Sequence, residues 1–391
     1  MSLKNIYILG IESSCDDTAA AVLRNGETLS NVIATQEIHK LYGGVVPELA
    51  SRAHQQNIVP VVDQALHKAG ISCNDLNAVA FTQGPGLMGS LLVGTSFAKS
   101  LAYGLDIPLI DVNHMQAHVL AHFIEKDGYK KPSFPFIGMT ISGGHTQIVL
   151  VEDYFKMTII GETIDDAVGE AFDKSGKILG LGYPAGPEID KRAKLGNPIA
   201  FKFTKPKVKG LNFSFSGLKT AILYFIQKQV KENPRFIEEN INDICASIQY
   251  TIINILMDKL KLAVSETRVS QIAIGGGVSA NSGIRNALKE AEGQYGWSTY
   301  LPALEFTTDN AAMIGIAAYY KIQKEEFGGF GDPSNARLKY GLWLFFYDAL
   351  IDLKTKEFTF NKEESKHIAK VLRKSSGETI TVTNGSGLEW T

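Results

Sequence analysis

Short apolar runs alternate with longer helix-like segments along the first 340 residues, and this alternation predicts an α/β protein. Polar or glycine-rich residues follow most of the runs, as they do where a buried strand ends in a turn. The predicted strands cover residues 6–12, 18–23, 78–81, 107–112, 136–141, 146–151 and 271–274. The predicted helices cover residues 47–69, 165–174 and 311–320, the first with Pro47 in its first turn and Gly70 after its end.

A strand–polar turn–strand design occurs twice. Residues 6–23 predict the first hairpin and residues 136–151 predict the second, about 130 residues later. The repeat predicts two copies of one α/β unit, joined near residues 130–133, with each copy presenting its turn to a shared cleft. Backbone N–H groups in such turns are suited to phosphate or carboxylate groups.

Composition narrows the possible classes of protein. With 391 residues and a net charge of −2, the chain is long enough for two or more domains and has no global charge typical of nucleic-acid binding. Any such binding would need a local patch. The three cysteines, Cys15, Cys73 and Cys245, argue against a disulfide framework. Because the sequence has neither a secretory signal pattern nor an apolar run of membrane-spanning length, we expect a cytoplasmic protein without a membrane partner.

Two histidines carry the clearest candidate chemistry. His114 and His118 are four residues apart directly after the predicted strand 107–112, so on a helix both rings face one side and can reach one metal ion. Two imidazoles make an incomplete site, and Asp309, at the start of the helix 311–320, is a candidate third ligand. Two simpler interpretations stay open: a pair of helix histidines without a metal, and an N-cap role for Asp309.

Lysines alternate with phenylalanines between residues 201 and 219. This composition is suited to RNA, through phosphate contacts and base stacking, but it also fits a solvated loop anchored by its phenylalanines. The residues concerned are Lys202, Lys205, Lys207, Lys209, Lys219, Phe201, Phe203, Phe213 and Phe215.

Eight motifs occur in the order typical of one family. They lie at residues 10–16, 43–52, 114–118, 142–146, 169–174, 213–219, 275–281 and 308–310. Together they resemble the TsaD family of tRNA N6-adenosine threonylcarbamoyltransferases over roughly residues 5 to 340. The resemblance implies an α/β, two-lobed actin-like (ASKHA) fold of duplicated ribonuclease H-like units. The N-terminal lobe would cover residues 1–130, completed by the helix near 308–322, and the C-terminal lobe residues 131–340.

The resemblance also implies an activity and a site. The chain would transfer the threonylcarbamoyl group from threonylcarbamoyl-AMP to N6 of adenosine 37 in tRNAs that read codons beginning with A. One divalent metal ion per subunit, iron(II) or alternatively zinc, would be bound by His114, His118 and Asp309 and would anchor the threonylcarbamoyl group. Glu12 matches an acidic residue of the cleft and is expected to be catalytic. The expected substrate contacts are Thr140, Ile141, Ser142, Gly143, Gly144, Asp173, Gly186, Asp190 and Asn281.

Expected partners follow from the same resemblance. Besides tRNA and threonylcarbamoyl-AMP, they are a TsaB-like paralogue, a TsaE-like ATPase and an upstream TsaC-like synthase. Two residues depart from the family pattern: Asn113 stands where a second histidine is usual, and Ala185 where glycine is frequent.

Two other functions compete with this interpretation. A metal-dependent glycoprotein endopeptidase would use the spacing of the histidine pair, but Met115 follows His114 where the His-Glu-x-x-His motif needs its general-base glutamate. An actin-like ATPase would use the repeated hairpins and the glycine-rich turn 275–277, but it does not need the histidine pair.

Beyond residue 340 the motifs change, and the informative segments are residues 344–348, 367–374 and 383–387. They resemble the opening of RsmE-type 16S rRNA uridine methyltransferases, within the PUA-like RNA-binding domain. We expect this segment to be a truncated appendage rather than an independent domain. Its alternating residues 379–383 predict a strand without partners.

Overall fold

The computed structural model describes residues 5–339, 345–347, 359–360, 365, 381–383 and 389–390. The chain divides into two compact units, Met1–Tyr340 and Gly341–Thr391. The described helices include none with the length and hydropathy that a membrane span requires.

The first sheet of the larger unit has the strand order β3-β2-β1-β4-β5. Strands β1 to β3 are antiparallel, whereas β4 and β5 run parallel to β1. The strands are β1 (Tyr7–Glu12), β2 (Asp17–Arg24), β3 (Glu27–Thr35), β4 (Ala78–Gly84) and β5 (Leu109–Asn113). The helices that follow within this part of the chain are α1 (Pro47–Ala69), α2 (Met88–Leu105) and α3 (His114–Leu120).

The second sheet has the strand order β8-β7-β6-β9-β10 when it is read in the same direction, which repeats the topology of the first sheet. Its strands are β6 (Phe136–Ile141), β7 (Thr146–Val151), β8 (Met157–Glu162), β9 (Gln271–Gly275) and β10 (Ser298–Tyr300). Its helices are α4 (Val168–Ile178), α5 (Gly186–Ala193), α6 (Ser216–Glu232), α7 (Phe236–Thr267) and α8 (Ser282–Tyr295). Because three antiparallel strands and then two parallel ones recur in the same order, the predicted duplication of one α/β unit is confirmed.

The last helix of this unit, α9 (Ala311–Gln323), packs on the opposite face of the first sheet from α1 and α2. Alternate strand residues face the two sides, so Ile8 packs toward α9 and Leu9 toward α1. Gly10 permits the close approach of α9, since a Cβ there would lie 2.5 Å from the carbonyl oxygen of Ala311. The position of α9 is therefore set by the lack of a side chain in β1.

Most predicted elements occur with small changes in their limits. Helix α1 ends at Ala69, and Gly70 follows in the left-handed region with φ of 69°. The helix predicted over 165–174 instead begins at Val168. The reason is that the Asp165 carboxylate accepts hydrogen bonds from Ser214, Phe215 and Ser216, so Asp165 is bound outside the helix.

The smaller unit contains a three-stranded sheet. Strand β12 (Thr381–Thr383) pairs in parallel with β11 (Phe345–Tyr347) and antiparallel with β13 (Glu389–Trp390). The expectation of a strand without partners is therefore wrong for Thr381–Thr383, while residues 379 and 380 lie outside the described residues. Backbone pairing on both sides satisfies the N–H and C=O groups that a lone strand would leave open.

Candidate metal centre

The end of β5 positions the two histidines. Asn113 is the N-cap of α3, and its side-chain oxygen accepts hydrogen bonds from the backbone N–H groups of Met115, at 2.9 Å, and Gln116, at 3.2 Å. With the first turn fixed in this way, His114 and His118 lie on one face of the helix. Their ring centroids are 4.6 Å apart with the planes nearly perpendicular, and both rings are buried.

Asp309 reaches the same pocket from the segment that precedes α9. Its Oδ1 lies 3.2 Å from Nε2 of His118 and 3.6 Å from Nε2 of His114. The N-cap of α9 is Asn310, whose side chain accepts a hydrogen bond from the Met313 N–H at 3.0 Å. Since Asn310 fills the capping role, the N-cap interpretation of Asp309 is wrong.

The three side chains fit a bound metal ion. One ligand atom from each lies within 4.8 Å of the other two. Within the described part of the chain, neither ring nitrogen of the buried His118 makes a hydrogen bond, and Nε2 lies 3.2 Å from the Asp309 carboxylate without bonding to it. Two imidazole nitrogens and a carboxylate oxygen are a ligand set typical of iron(II) and zinc sites. Metal–ligand bonds of about 2.0–2.2 Å place such atoms roughly 3–3.5 Å apart, close to the distances already present.

Glu12 contacts the ring nitrogen of His114 that faces away from Asp309. Its side chain is fully buried, and Oε2 lies 3.0 Å from Nδ1 of His114 and accepts a hydrogen bond from the Thr82 hydroxyl at 2.6 Å. Its Oε1 accepts the backbone N–H of Ser14 at 2.6 Å. Every contact of this carboxylate is thus with the protein, and its position suits the orientation of His114 better than contact with a substrate.

The charges in this pocket stabilise one another. Burial alone would lower the pKa of His114, but the carboxylates of Glu12 and Asp309 raise it to about 9. Burial opposes ionisation of the two carboxylates, yet the charge of His114 keeps the pKa of each below its ordinary value. A positive charge between Glu12 and Asp309 is therefore favoured, and a divalent cation supplies such a charge.

The turn after β1 is held by hydrogen bonds from two helices. The carbonyl of Cys15 accepts hydrogen bonds from His54 Nε2, at 3.0 Å, and from the Ser90 hydroxyl, at 2.9 Å. Nδ1 of His54 lies 2.7 Å from the Thr18 hydroxyl. Because a carbonyl only accepts, His54 carries its proton on Nε2 and accepts from Thr18. These bonds fix the turn that begins at Glu12.

The second hairpin brings its turn to the same pocket. Strand β6, which leads into this turn, packs against α3, and burial together with the nearby His114 and His118 lowers the pKa of His145 to about 4. Gly143 and Gly144 are exposed, with open space where a Cβ would be. Among the predicted substrate contacts, Ser142, Gly143 and Gly144 therefore lie in the turn, whereas Thr140 and Ile141 are buried in β6.

The remaining predicted substrate contacts lie around the starts of α5 and α8. Asp173 accepts the backbone N–H of Ala185 at 2.7 Å, and Gly186 is the first residue of α5. Burial raises the pKa of Asp173. Asp190 accepts hydrogen bonds from the backbone N–H and the hydroxyl of Ser282.

Asn281 has a structural role of its own. It caps α8 by accepting the Ile284 N–H at 3.1 Å, and it donates to the side chain of Gln249 at 2.7 Å. Both ends of its amide are thereby used within the protein. A substrate contact from Asn281 would have to share these atoms.

Burial separates the two possibilities left open for residues 201–219. Phe203 is 8% exposed, and Phe213 and Phe215 are 0% exposed. These three phenylalanines belong to the core of the second sheet and cannot stack on bases, so the stacking part of the RNA interpretation is wrong for them, while Phe201 is partly buried against the same core. The lysines of the segment are exposed.

Family models and curated relatives decide the identity of the chain. Residues 27–316 match the model described as TsaD, tRNA N6-adenosine threonylcarbamoyltransferase. The chain belongs to the TsaD family. A tRNA N6-adenosine threonylcarbamoyltransferase of Christiangramia forsetii is 70% identical over 87% of this chain and 100% of its own length. One of Riemerella anatipestifer is 61% identical over 86% of this chain and 98% of its own length.

The fold agrees with this assignment. Full-length HypF in its phosphate- and nucleotide-bound form superposes with a TM-score of 0.53 at 15% identity, over 82% of this chain and 47% of that protein. The HypF of T. kodakarensis gives a TM-score of 0.51 at 14% identity, over 82% of this chain and 48% of its own. With two topologically equal sheets, the TsaD chain has the two-lobed actin-like (ASKHA) fold. Residues 360–391 match the model of an RNA methyltransferase PUA domain.

Three supporting residues of the TsaD site were not among the predicted site residues. Thr82 binds Glu12, Ser14 Oγ lies 3.3 Å from Nδ1 of His114, and His54 binds the Cys15 carbonyl. All three act through contacts between segments that are distant in sequence. Only the pairing of β1 with β4 and the packing of α1 reveal them.

Proposed function

We propose that this TsaD chain forms N6-threonylcarbamoyladenosine at position 37 of tRNAs that read codons beginning with A, using a site built on His114, His118 and Asp309. These three residues would hold one divalent metal ion, iron(II) or zinc. The observation that carries the proposal is the buried cluster of two imidazoles and one carboxylate, with both ring nitrogens of His118 lacking hydrogen bonds. When bound, the ion would supply Lewis-acid polarisation and anchoring of the threonylcarbamoyl group.

The reaction needs an oriented amine more than a strong base. The exocyclic N6 of adenosine attacks the carbamoyl carbonyl carbon, the bond from that carbon to the phosphate oxygen of AMP breaks, and N6 loses one proton. Orientation of the two reactants can supply much of the rate enhancement. Ser142, Gly143 and Gly144 would bind the substrate through a turn with an open, exposed backbone. Asp173 and the first turn of α5 at Gly186 would bind the nucleoside part of threonylcarbamoyl-AMP.

Glu12 would act as a positioning residue. Its hydrogen bond to Nδ1 of His114 leaves Nε2 of that ring as the nitrogen directed toward Asp309. A carboxylate behind a ligating imidazole fixes the tautomer and raises the basicity of the other nitrogen. This role replaces direct action on the substrate, for which Glu12 presents no exposed surface.

Protein partners would complete the reaction in the cytoplasm. We propose a TsaB-like paralogue and a TsaE-like ATPase as binding partners and a TsaC-like synthase as the source of threonylcarbamoyl-AMP. Exposed apolar residues on the adjacent helices α1 and α2, among them Val59, Leu92 and Tyr103, support a protein partner on that side.

A transfer assay tests the proposed activity. The full chain is incubated with its partner proteins, threonylcarbamoyl-AMP and a tRNA that has adenosine at position 37, and the modified nucleoside is measured by mass spectrometry. Formation of N6-threonylcarbamoyladenosine together with AMP is the expected result. If AMP is released while adenosine 37 stays unmodified, the chain is a hydrolase of the adenylate and the proposal fails.

A further inference from the structure

The basic residues of this chain are strongly concentrated in one stretch. Residues 191–231 contain ten lysines and arginines and no aspartate or glutamate. The other 350 residues contain 29 basic and 41 acidic side chains, which gives them a net charge of −12. The net charge of the whole chain is therefore near zero because a positive segment of 41 residues offsets the negative charge of the rest.

Most of these charges have no acidic partner. Among the described residues, ion pairs occupy Arg192 with Glu188, Lys194 with Asp190 and Lys205 with Asp258. The other basic side chains of the stretch are exposed and form no ion pair within the described part of the chain. They are Lys191, Lys202, Lys207, Lys209, Lys219, Lys228 and Lys231. Phe201 and Phe203 both contact Phe225, so this part of the loop lies beside α6. We name the lysines of the loop and of the adjoining side of α6 the lysine face: Lys202, Lys207, Lys209, Lys228 and Lys231.

The backbone of this segment is firmly held. Lys259 of α7 donates to the carbonyl oxygens of Val208, at 3.0 Å, and Gly210, at 2.5 Å. The buried Phe203 fixes the chain just before these residues. Lys207 and Lys209 are thus exposed side chains next to two backbone carbonyl groups that are bound, which suits the docking of a rigid polyanion.

Sheet topology brings one end of the lysine face to the edge that carries the site. Strand β7 is antiparallel to β6 and β8, so the end of β6, the turn 142–145 and the end of β8 share one edge of the sheet. Phe213 forms a bridge with Thr163 directly after β8, and α6 begins three residues later. The loop that carries Lys207 and Lys209 therefore ends beside the edge occupied by the turn 142–145.

An exposed aromatic side chain accompanies the lysines on α6. Tyr224 is 67% exposed, and Lys228 and Lys231 follow it at four and seven residues, which places all three on one face of the helix. A tyrosine among lysines is suited to stacking on a nucleobase or ribose next to phosphate contacts.

We infer that the lysine face, with Tyr224, is the surface on which the tRNA substrate docks. The inference rests on the proposed function, because it takes tRNA as the polyanion. The lysines neutralise backbone phosphates and carry no sequence information, so this surface contributes affinity and orientation while the pocket selects the adenosine. The buried phenylalanines of the segment support the surface from below.

The test compares charge reversals on and off the lysine face. Lys207→Glu/Lys209→Glu reverses two charges of the face, and Lys68→Glu/Lys289→Glu reverses those of two exposed lysines on α1 and α8 as the matched control. Binding of a tRNA with adenosine 37 to the full chain is measured by filter binding from 50 to 300 mM salt, and circular dichroism verifies the fold of each variant.

The inference predicts at least a tenfold loss of tRNA affinity for Lys207→Glu/Lys209→Glu. The slope of log K against log salt concentration should also fall in magnitude by about 1.5 to 2, since two phosphate contacts are lost. Tyr224→Ala should weaken binding about fivefold or more with an unchanged slope. If the charge-reversed variant binds tRNA as the control variant does, the lysine face is not the docking surface. A failure of the wild-type chain to modify tRNA would instead overturn the proposed function.

Discussion

Oε2 of Glu12 lies 3.0 Å from Nδ1 of His114, and the opposite nitrogen of the same ring faces Asp309 at 3.6 Å. The imidazole is thus fixed between two carboxylates, one contributed by the end of β1 and one by the segment before α9. Because the Glu12 side chain is fully buried, its charge acts on the ring rather than on solvent or substrate. The candidate metal centre therefore includes a carboxylate that does not itself reach the metal position.

The first prediction concerns this carboxylate. Glu12→Gln keeps the shape of the side chain but removes its charge, so metal affinity should fall about 10- to 100-fold. Competition titration with a metal chelator measures this change without reference to activity. Glu48→Gln, at an exposed position on α1, is the matched control and should bind metal like the wild type. Equal affinity of the Glu12 and Glu48 variants would contradict the positioning role.

A second prediction concerns the contact between β1 and α9. In Gly10→Ala the new Cβ would lie 2.5 Å from the Ala311 oxygen and 2.9 Å from the Gly315 nitrogen, so α9 must move. We expect the free energy of unfolding to fall by about 1–3 kcal/mol, because overpacking of a core shifts backbone. Since Asp309 directly precedes α9, metal affinity should fall as well.

Gly104→Ala provides the control for that experiment. Gly104 lies in α2, and a Cβ there would have no atom within 4 Å. Alanine should raise the free energy of unfolding by roughly 0.5–1 kcal/mol through helix propensity. Urea unfolding of both variants distinguishes the two cases, and a stable Gly10→Ala variant with full metal affinity would refute the proposed link.

The third prediction is a pH dependence of stability. Burial lowers the pKa of His54, which is neutral when it binds Cys15 and Thr18. In the unfolded chain, the imidazole of His54 binds a proton as the pH falls through the ordinary histidine pKa of about 6.5. In the folded chain, the same imidazole stays neutral at that pH. His54 should therefore destabilise the fold increasingly as the pH falls through 6.5 toward the depressed pKa, and have no such effect above pH 7.5.

Urea unfolding of wild type and His54→Gln between pH 5 and 8 measures this contribution. The variant should lose less stability than the wild type on acidification, although it should be less stable at pH 8. His67→Gln, at an exposed position on α1, serves as the control and should follow the wild-type curve. Parallel curves for His54→Gln and the wild type would show that His54 is not held neutral.

The sequence predicted some parts of this structure well because they depend on local pattern. The i, i+4 spacing of His114 and His118 and the two hairpins follow from periodicity, and Pro47 and Gly70 mark the limits of α1. Asp309 was a candidate third ligand with an N-cap role as the alternative, and the family resemblance implied the ligand role. Its approach to the histidines depends on the packing of α9. No local pattern reports a contact between residues nearly 200 positions apart.

Side-chain direction explains what the pattern missed. Glu12 was expected to act on the substrate, but the parallel pairing of β1 with β4 directs it to Thr82 and His114. Likewise, an irregular segment has no periodicity that distinguishes buried from exposed residues. The phenylalanines near residue 213 are therefore core residues in the structure, while the lysines between them are exposed.

The metal content of the purified protein tests the central claim most directly. Wild type, His114→Ala and Asp309→Ala are purified under anaerobic conditions, and the metal content of each is measured by mass spectrometry. The result is expressed as metal ions per protein chain, and no activity assay is needed. We predict about one iron or zinc ion per wild-type chain and a loss of at least nine-tenths of it in both variants, with the fold verified by circular dichroism. Metal content equal to that of the wild type in either folded variant would contradict the assignment of His114, His118 and Asp309 as the metal site.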